Sequence, residues 1–381
     1  MTIGGKRSTA ICFVAAVAAL GLGAFVFVWS GLYNAAASQP HLSIVHRMIE
    51  FALRRSVETH SALMTHPAFD DSNLMRLGAA HFDSGCAPCH SAPGGMSNPV
   101  VENMLPRPPK LTLAASRWTP EQLFWIVKNG LKFTGMPAWV AQDREDEIWA
   151  VVAFLEALPN ISAAEYRKVA AANVEALVRT GGMIAKYGAG TESISQCDRC
   201  HGTRSEPPTS ALVPKLAGQS QAYLEITLRC FATGTRQSGI MQPVAAALTD
   251  GDAAELAKYY AGLPPTTAAD SSQKPPPDQL ERGKMIALSG VPENGIPPCL
   301  ACHGDKRAAT FPTLFGQHAA YLRNQLQLWR RGLRNQTAQG AIMAAIATRL
   351  SEQQIFEVAA WFESVGPRIP SEEVRRGRRR R

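Results

Sequence analysis

The chain has almost no cysteine to spare. Of eight cysteines in 381 residues, six fall in a pentapeptide that occurs three times, leaving only Cys12 and Cys230. No disulfide framework remains to hold the fold. Charge of one sign is also scarce. The net charge of +8 rests on six terminal arginines (Arg375, Arg376, Arg378, Arg379, Arg380 and Arg381), and the rest of the chain carries only +2. That excludes a broad cationic surface of the kind that binds nucleic acid. Aromatic residues make up 7% of the chain, so any unit of roughly 90 residues is short of the apolar volume that a domain of this size needs. Long apolar runs are scarce as well, the notable one being Ile11 to Leu32 near the N-terminus.

The repeated pentapeptide is Cys-x-x-Cys-His, read as Cys86-Ala87-Pro88-Cys89-His90, Cys197-Asp198-Arg199-Cys200-His201 and Cys299-Leu300-Ala301-Cys302-His303. This is the pattern through which a chain attaches c-type haem. Two thiols one helical turn apart can each form a thioether to a haem vinyl group, and the adjacent histidine then lies under the iron as an axial ligand. Zinc is the rival chemistry. A structural zinc site closes four ligands, whereas each cluster supplies three and no fourth Cys or His recurs at a regular offset. Cys86, Cys89, Cys197, Cys200, Cys299 and Cys302 are therefore expected to bind three haems c covalently, with His90, His201 and His303 on the iron. The porphyrins supply the apolar surface that short, aromatic-poor units lack. Their propionates bring the body of the holo-protein near neutral or negative.

The second and third motifs lie in recognisable copies of one unit. Met183 precedes Cys197 by 14 residues, and Met285 precedes Cys299 by the same distance. Downstream, Tyr223-Leu224, Leu228, Phe231, Gly234 and Arg236 match Tyr321-Leu322, Leu326, Trp329, Gly332 and Arg334 at identical internal spacing. Met241 and Met343 each lie 40 residues after the motif histidine. An isolated methionine usually fills a core, but one repeated at fixed distance from such a histidine is expected as the second axial ligand. The first unit is a more distant version. Its candidate is Met136, 46 residues after His90, with Met104 as the rival and Met96 read as a loop residue.

All three motifs are followed by Pro-x-Leu: Pro109-Lys110-Leu111, Pro214-Lys215-Leu216 and Pro312-Thr313-Leu314. An iron-bound histidine donates its other ring N–H to a carbonyl or carboxylate, which fixes its orientation. These segments are the expected source of that carbonyl. Amphipathic helices closing over the haem are expected at Glu145 to Leu158 and in the runs containing Leu256, Tyr259 and Tyr260, and Val358, Trp361 and Phe362. His318 has Ser220 as its counterpart in the second copy and is read as a surface or propionate-contacting histidine. Cys230 stands where the third copy has Leu328 and is read as a small buried apolar residue.

These motifs, the downstream methionines, the Pro-x-Leu loops and the closing helices resemble class I cytochrome c domains, over roughly Leu74 to Val365. The Gly218-Gln219 and Gly316-Gln317 pairs with their Tyr-Leu helices resemble the tandem dihaem cytochromes. The order of three such domains on an anchor is similar to the trihaem cytochrome subunits of membrane-bound alcohol, gluconate and sorbitol dehydrogenases. The resemblance implies an all-α fold, His/Met-ligated low-spin haem and electron transfer. The expected role is a carrier between a dehydrogenase or quinol-oxidising donor and an oxidase or soluble cytochrome, with no catalytic residues of its own. A haem enzyme such as a peroxidase is the alternative and requires one methionine to be a false ligand.

The N-terminal run of 22 uncharged residues follows Lys6 and Arg7, and as a helix it reaches about 33 Å, enough to cross a bilayer. It is expected to be a retained anchor that places the haem domains on the periplasmic side of a bacterial inner membrane. Cleavage near Ala37 is the competing outcome. Cys12 within it is read as lipid-facing. The expected organisation is an anchor at 1–40, an amphipathic juxtamembrane helix at 41–70, and cytochrome c domains at 71–160, 178–264 and 279–366. A short bridge over 159–177 and a Pro-rich linker over 264–278 separate the domains, the linker leaving the third free to move relative to the second. A basic tail at 367–381 is expected to meet acidic headgroups or an acidic partner.

Overall fold

The computed structural model describes residues 3–170, 191–203, 206–265, 275–305 and 308–367. The Met183 segment, the centre of the Pro-rich linker and the arginine tail lie outside these residues. Among the described residues the chain is all-α, with only an isolated bridge between Val291 and Ile296.

The first helix is Ile3–Trp29, and its stretch Ile11–Trp29 is long and apolar enough to cross a membrane, with none of it buried against the rest of the chain. The amphipathic pattern after Pro40 forms the helix Ser43–Ser61. Its C-terminal half packs against the first unit: Val57 is fully buried, the His60 ring lies 5.5 Å from Trp125, and the Arg54 guanidinium sits 5.7 Å from the Trp118 ring. Ile44, Met48 and Phe51, in its N-terminal half, stay exposed.

Beyond this helix the buried side chains of the described residues form three clusters, one around each Cys-x-x-Cys-His motif. In the first, the helix Ser72–His81 crosses Glu145–Ala157, which buries Ile148, Val151, Val152 and Leu155 at helical spacing. The crossing is possible because residue 78 is glycine, since a Cβ there would stand 1.9 Å from the carbonyl oxygen of Ala150. The third unit repeats this solution. Pro277–Ser289 crosses Glu352–Ser364 at Gly283, where a Cβ would lie 2.1 Å from the Glu357 oxygen. In the second unit, Gln221–Ala232 packs on Asp250–Gly262. Side-chain capping boxes fix where helices start: Thr119 with Gln122 opens the helix Pro120–Asn129, Thr249 with Asp252 opens Asp250–Gly262, and Ser351 with Gln354 opens Glu352–Ser364.

Two expectations about the connections are corrected. The stretch from 159, expected as a bridge, carries the helix Ala163–Val169, whose Tyr166 is fully buried beside Phe82 and Phe154 and donates to Asp83 Oδ1 at 2.7 Å. Burying a ring of this size is worth about 2 kcal/mol, so this segment belongs to the first unit. The third unit, expected to move on its linker, is bound to the second by buried hydrogen bonds described below.

Candidate haem-binding site

Each motif histidine is held in the same way. His90 Nδ1 lies 2.8 Å from the carbonyl oxygen of Pro109, His201 Nδ1 3.0 Å from that of Pro214, and His303 Nδ1 3.0 Å from that of Pro312. A carbonyl can only accept, so the proton sits on Nδ1 and Nε2 carries the lone pair, the form that binds a metal. Burial holds the His90 and His201 imidazoles below their usual pKa, against the opposing pull of the proline carbonyls. The Pro-x-Leu segments thus occupy the place the sequence assigned them.

Burial pushes the Cys86 thiol up to about 12, and the Cys197 and Cys299 thiols up to about 11. Among the described residues no three His, Cys, Asp or Glu side chains gather as a zinc site would require.

Cys86, Cys89, His90, Met136, Cys197, Cys200, His201, Met241, Cys299, Cys302, His303 and Met343 all line one connected cavity of about 2700 Å³. A single cofactor pocket is about 300–1,000 Å³, so the space is several times that of one ligand. Met136 follows Gly135, and Met104 lies beside it, its methyl 2.4 Å from where a Cβ on Gly135 would stand; both methionines reach the cavity. Met96 is 86% exposed and takes no part.

The polar part of the lining fits an anionic, largely apolar group. Trp329 Nε1 is buried with no hydrogen-bond partner. Arg334 stacks 4.0 Å from the Trp329 ring, and Arg236 lies 4.5 Å from Phe231. Their partners are neutral: Arg236 donates to Tyr321 Oη (2.9 Å) and Gln325 Oε1 (3.1 Å), and Arg334 to Gln325 Oε1 (2.6 Å). Burial, reinforced by the Arg236 charge, brings Arg334 down to about 10. Two part-buried cations and an orphaned indole N–H on an apolar wall suit the propionate edge of a porphyrin.

Sequence reasoning missed how the units are joined. Gln219 Nε2 donates to the Thr313 carbonyl (2.9 Å) and its Oε1 accepts from the Thr313 N–H (3.0 Å). Gln317 does the same to Lys215, with both contacts at 3.0 Å. Gly218 and Gly316 take positive φ (83° and 72°), which turns the chain so that each glutamine faces the other unit. The first unit docks through Arg144, Asp146 and Glu147: Arg144 donates to the Gln237 carbonyl (2.7 Å), and Asp146 Oδ2 accepts from Asn324 Nδ2 (3.0 Å). Arg199 pairs with Asp83, and Ser210 Oγ donates to the Asn73 carbonyl (2.8 Å). The only sequence signal was the repeated Gly-Gln pair, and it carried no hint of its partner.

Two smaller readings change. His318 is not a surface residue: its side chain is 13% exposed, and Nδ1 lies 3.3 Å from Glu363 Oε1, away from the cavity. Cys230 is half-buried at the cavity wall, whereas its counterpart Leu328 is buried.

The chain resembles known proteins in sequence. Residues 73–155 match the family described as cytochrome c oxidase, cbb3-type, subunit III. The thiosulfate dehydrogenase electron acceptor of Stutzerimonas stutzeri is 34% identical over 197 residues, covering 51% of this chain and 90% of that protein. Cytochrome c4 of Thiocapsa roseopersicina is 36% identical over 177 residues, 44% of this chain and 86% of the relative. The solved cytochrome c4 of Acidithiobacillus ferrooxidans, 33% identical, covers 45% of this chain and 99% of its own, with a TM-score of 0.40. With its repeated haem-attachment motif, its all-helical units and relatives matched over most of their length, this chain belongs to the class I c-type cytochromes with tandem domains, electron carriers that bind haem c covalently.

Proposed function

We propose that this protein is a membrane-anchored cytochrome with three haems c, which carries electrons from a dehydrogenase or quinol-oxidising donor towards a terminal oxidase on the periplasmic side of a bacterial inner membrane. The observation that carries the reading is the threefold recurrence of a motif histidine held through Nδ1 by a proline carbonyl, with a methionine on the same cavity. In this reading the domains are centred on 71–160, 178–264 and 279–366. Cys86, Cys89, Cys197, Cys200, Cys299 and Cys302 would form the thioethers, and His90 with Met136, His201 with Met241 and His303 with Met343 would hold the irons. Bound haem supplies one-electron redox chemistry, and a methionine opposite histidine raises its potential.

The chain's own residues exclude water, fix the imidazoles and place cations beside the propionates. With a histidine and a methionine both holding each iron, no position would remain for substrate, and catalysis would belong to a partner. The helix Ile3–Trp29 supplies the anchor. Relatives named as electron acceptors of thiosulfate dehydrogenase in two organisms favour a dehydrogenase as the donor.

A reductive optical and potentiometric titration of the purified holo-protein, with carbon monoxide added, tests this reading. Three low-spin steps with no carbon monoxide shift are expected. A high-spin haem that binds carbon monoxide would replace the carrier with a haem enzyme.

A further inference from the structure

We infer that Glu147, which belongs to the first unit, is a positioning residue for Met241 of the second, acting through a hydrogen-bonded relay that has no counterpart among the described residues of the other two units. The inference rests on the reading of Met241 as an iron ligand.

Met241 is the first residue of the short helix Met241–Ala246. Ser238 Oγ accepts from the Met241 N–H (2.9 Å) and the Ile240 N–H (3.3 Å), so this hydroxyl serves the start of the helix as a cap does. A hydroxyl has one proton to give, and Ser238 gives it to Glu147 Oε1 at 2.6 Å. Glu147 Oε2 accepts from the Gly239 N–H, also at 2.6 Å. Arg144 completes the clamp, donating to the Gln237 carbonyl at 2.7 Å and pairing with Glu147 at 2.8 Å. Ser238 is 2% exposed and Glu147 4%, so water does not compete. Trp139, also from the first unit, closes the remaining side: a Cβ on Gly239 would stand 2.0 Å from its Nε1.

The other units hold their methionine segments with their own threonines. The Met136 N–H donates to Thr134 Oγ1 at 3.1 Å. The N–H of Gly340, three residues before Met343, donates to Thr337 Oγ1 at 2.9 Å. In the second unit the nearby Thr235 hydroxyl turns back onto the Cys230 carbonyl at 3.2 Å, and the segment borrows a carboxylate from its neighbour instead.

If Glu147 is removed, the donors on Ser238 and Gly239 are left buried without an acceptor, and the start of the methionine helix loses its orientation. The consequence falls on how often the thioether leaves the iron. Binding of cyanide to ferric haem reads that frequency, because cyanide enters only when the methionine is away.

The experiment uses the full-length ferric holo-protein, in wild-type form and as Glu147→Ala, Ser238→Ala and Met241→Ala. Glu147→Ala and Ser238→Ala are each expected to speed cyanide binding at one haem of three by about tenfold or more, leaving the other two at the wild-type rate. The haem affected should be the one that Met241→Ala opens, so that adding Glu147→Ala to Met241→Ala produces no further change. Ser238→Ala alters the relay from the second unit and keeps the test in force if Glu147→Ala folds poorly. Unaltered rates in both variants, or acceleration at a haem that Met241→Ala does not open, would overturn the inference while the ligand reading stands. If Met241→Ala opens no haem, the ligand reading fails and the inference falls with it.

Discussion

Gln219 and Gln317 are mirror partners across the junction of the second and third units: each uses one side-chain amide to bind both the N–H and the C=O of the residue that follows the other unit's histidine-holding proline. The contact therefore ties together the two loops, Pro214-Lys215 and Pro312-Thr313, that fix the imidazoles of His201 and His303. Both glutamines are buried, at 6% and 5% exposure. Replacing either by alanine leaves a backbone donor and acceptor unpaired, at a cost of about 2–4 kcal/mol. Scanning calorimetry of the holo-protein should show a lowered transition in each single variant and two separated transitions in the double variant. One unsplit transition at the wild-type temperature would mean that the junction lies elsewhere.

Acid should weaken the first unit through His81. Its ring stands edge-on to Trp139 with centroids 5.0 Å apart, and desolvation, aided by the Arg199 charge, lowers it from 6.5 to about 4. Above pH 6.5 both folded and unfolded forms are neutral and the residue has no effect. As pH falls from 6.5 towards 4 the unfolded chain takes up a proton that the folded one refuses, so stability drops, by at most about 3 kcal/mol. His81→Phe should flatten the denaturation midpoint across that window, and a slope identical to wild type would remove His81 as its cause.

Gly78→Ala and Gly283→Ala test the helix crossings. Each places a methyl about 2 Å from a backbone oxygen, and the forced separation of the helices should cost about 3 kcal/mol. Denaturant titration measures it. A loss below about 0.5 kcal/mol, the range of ordinary surface changes, would show that the helices part freely.

Arg334→Met should lower the midpoint potential of one haem, because a nearby cation disfavours the ferric state. Potentiometry resolves this, and three unaltered potentials would detach the guanidinium from the cofactor's edge.

The protein should remain in the membrane fraction after a carbonate wash if Ile11–Trp29 spans the bilayer. Recovery of shortened, soluble protein would indicate cleavage near Ala37.

What was legible in the sequence was local. The three pentapeptides, the repeat and the Pro-x-Leu loops could be read because thioether attachment and imidazole orientation demand fixed residue types at short spacing. The closing helices followed from apolar periodicity, the first to within one residue of its end and the third as a run around Val358, Trp361 and Phe362. Relations between units were hidden. Glu147 looks like any acidic residue in the first turn of a helix, yet it is buried against Ser238, 91 residues away. Tyr166 looked like part of a bridge because its partners Phe82 and Asp83 precede it by more than 80 residues. His318 sits beside a recognisable Gly-Gln pair, but its burial depends on Glu363 in the closing helix.

The glycine crossings also bear on how the protein is made. In the first unit the helix Ser72–His81 meets Glu145–Ala157, and in the third Pro277–Ser289 meets Glu352–Ser364. The thiols at Cys86, Cys89, Cys299 and Cys302 sit just after the earlier partner of each pair, so a chain growing from its N-terminus exposes them before the later partner exists. In both units the thiols therefore precede, in chain order, the helix that closes over them.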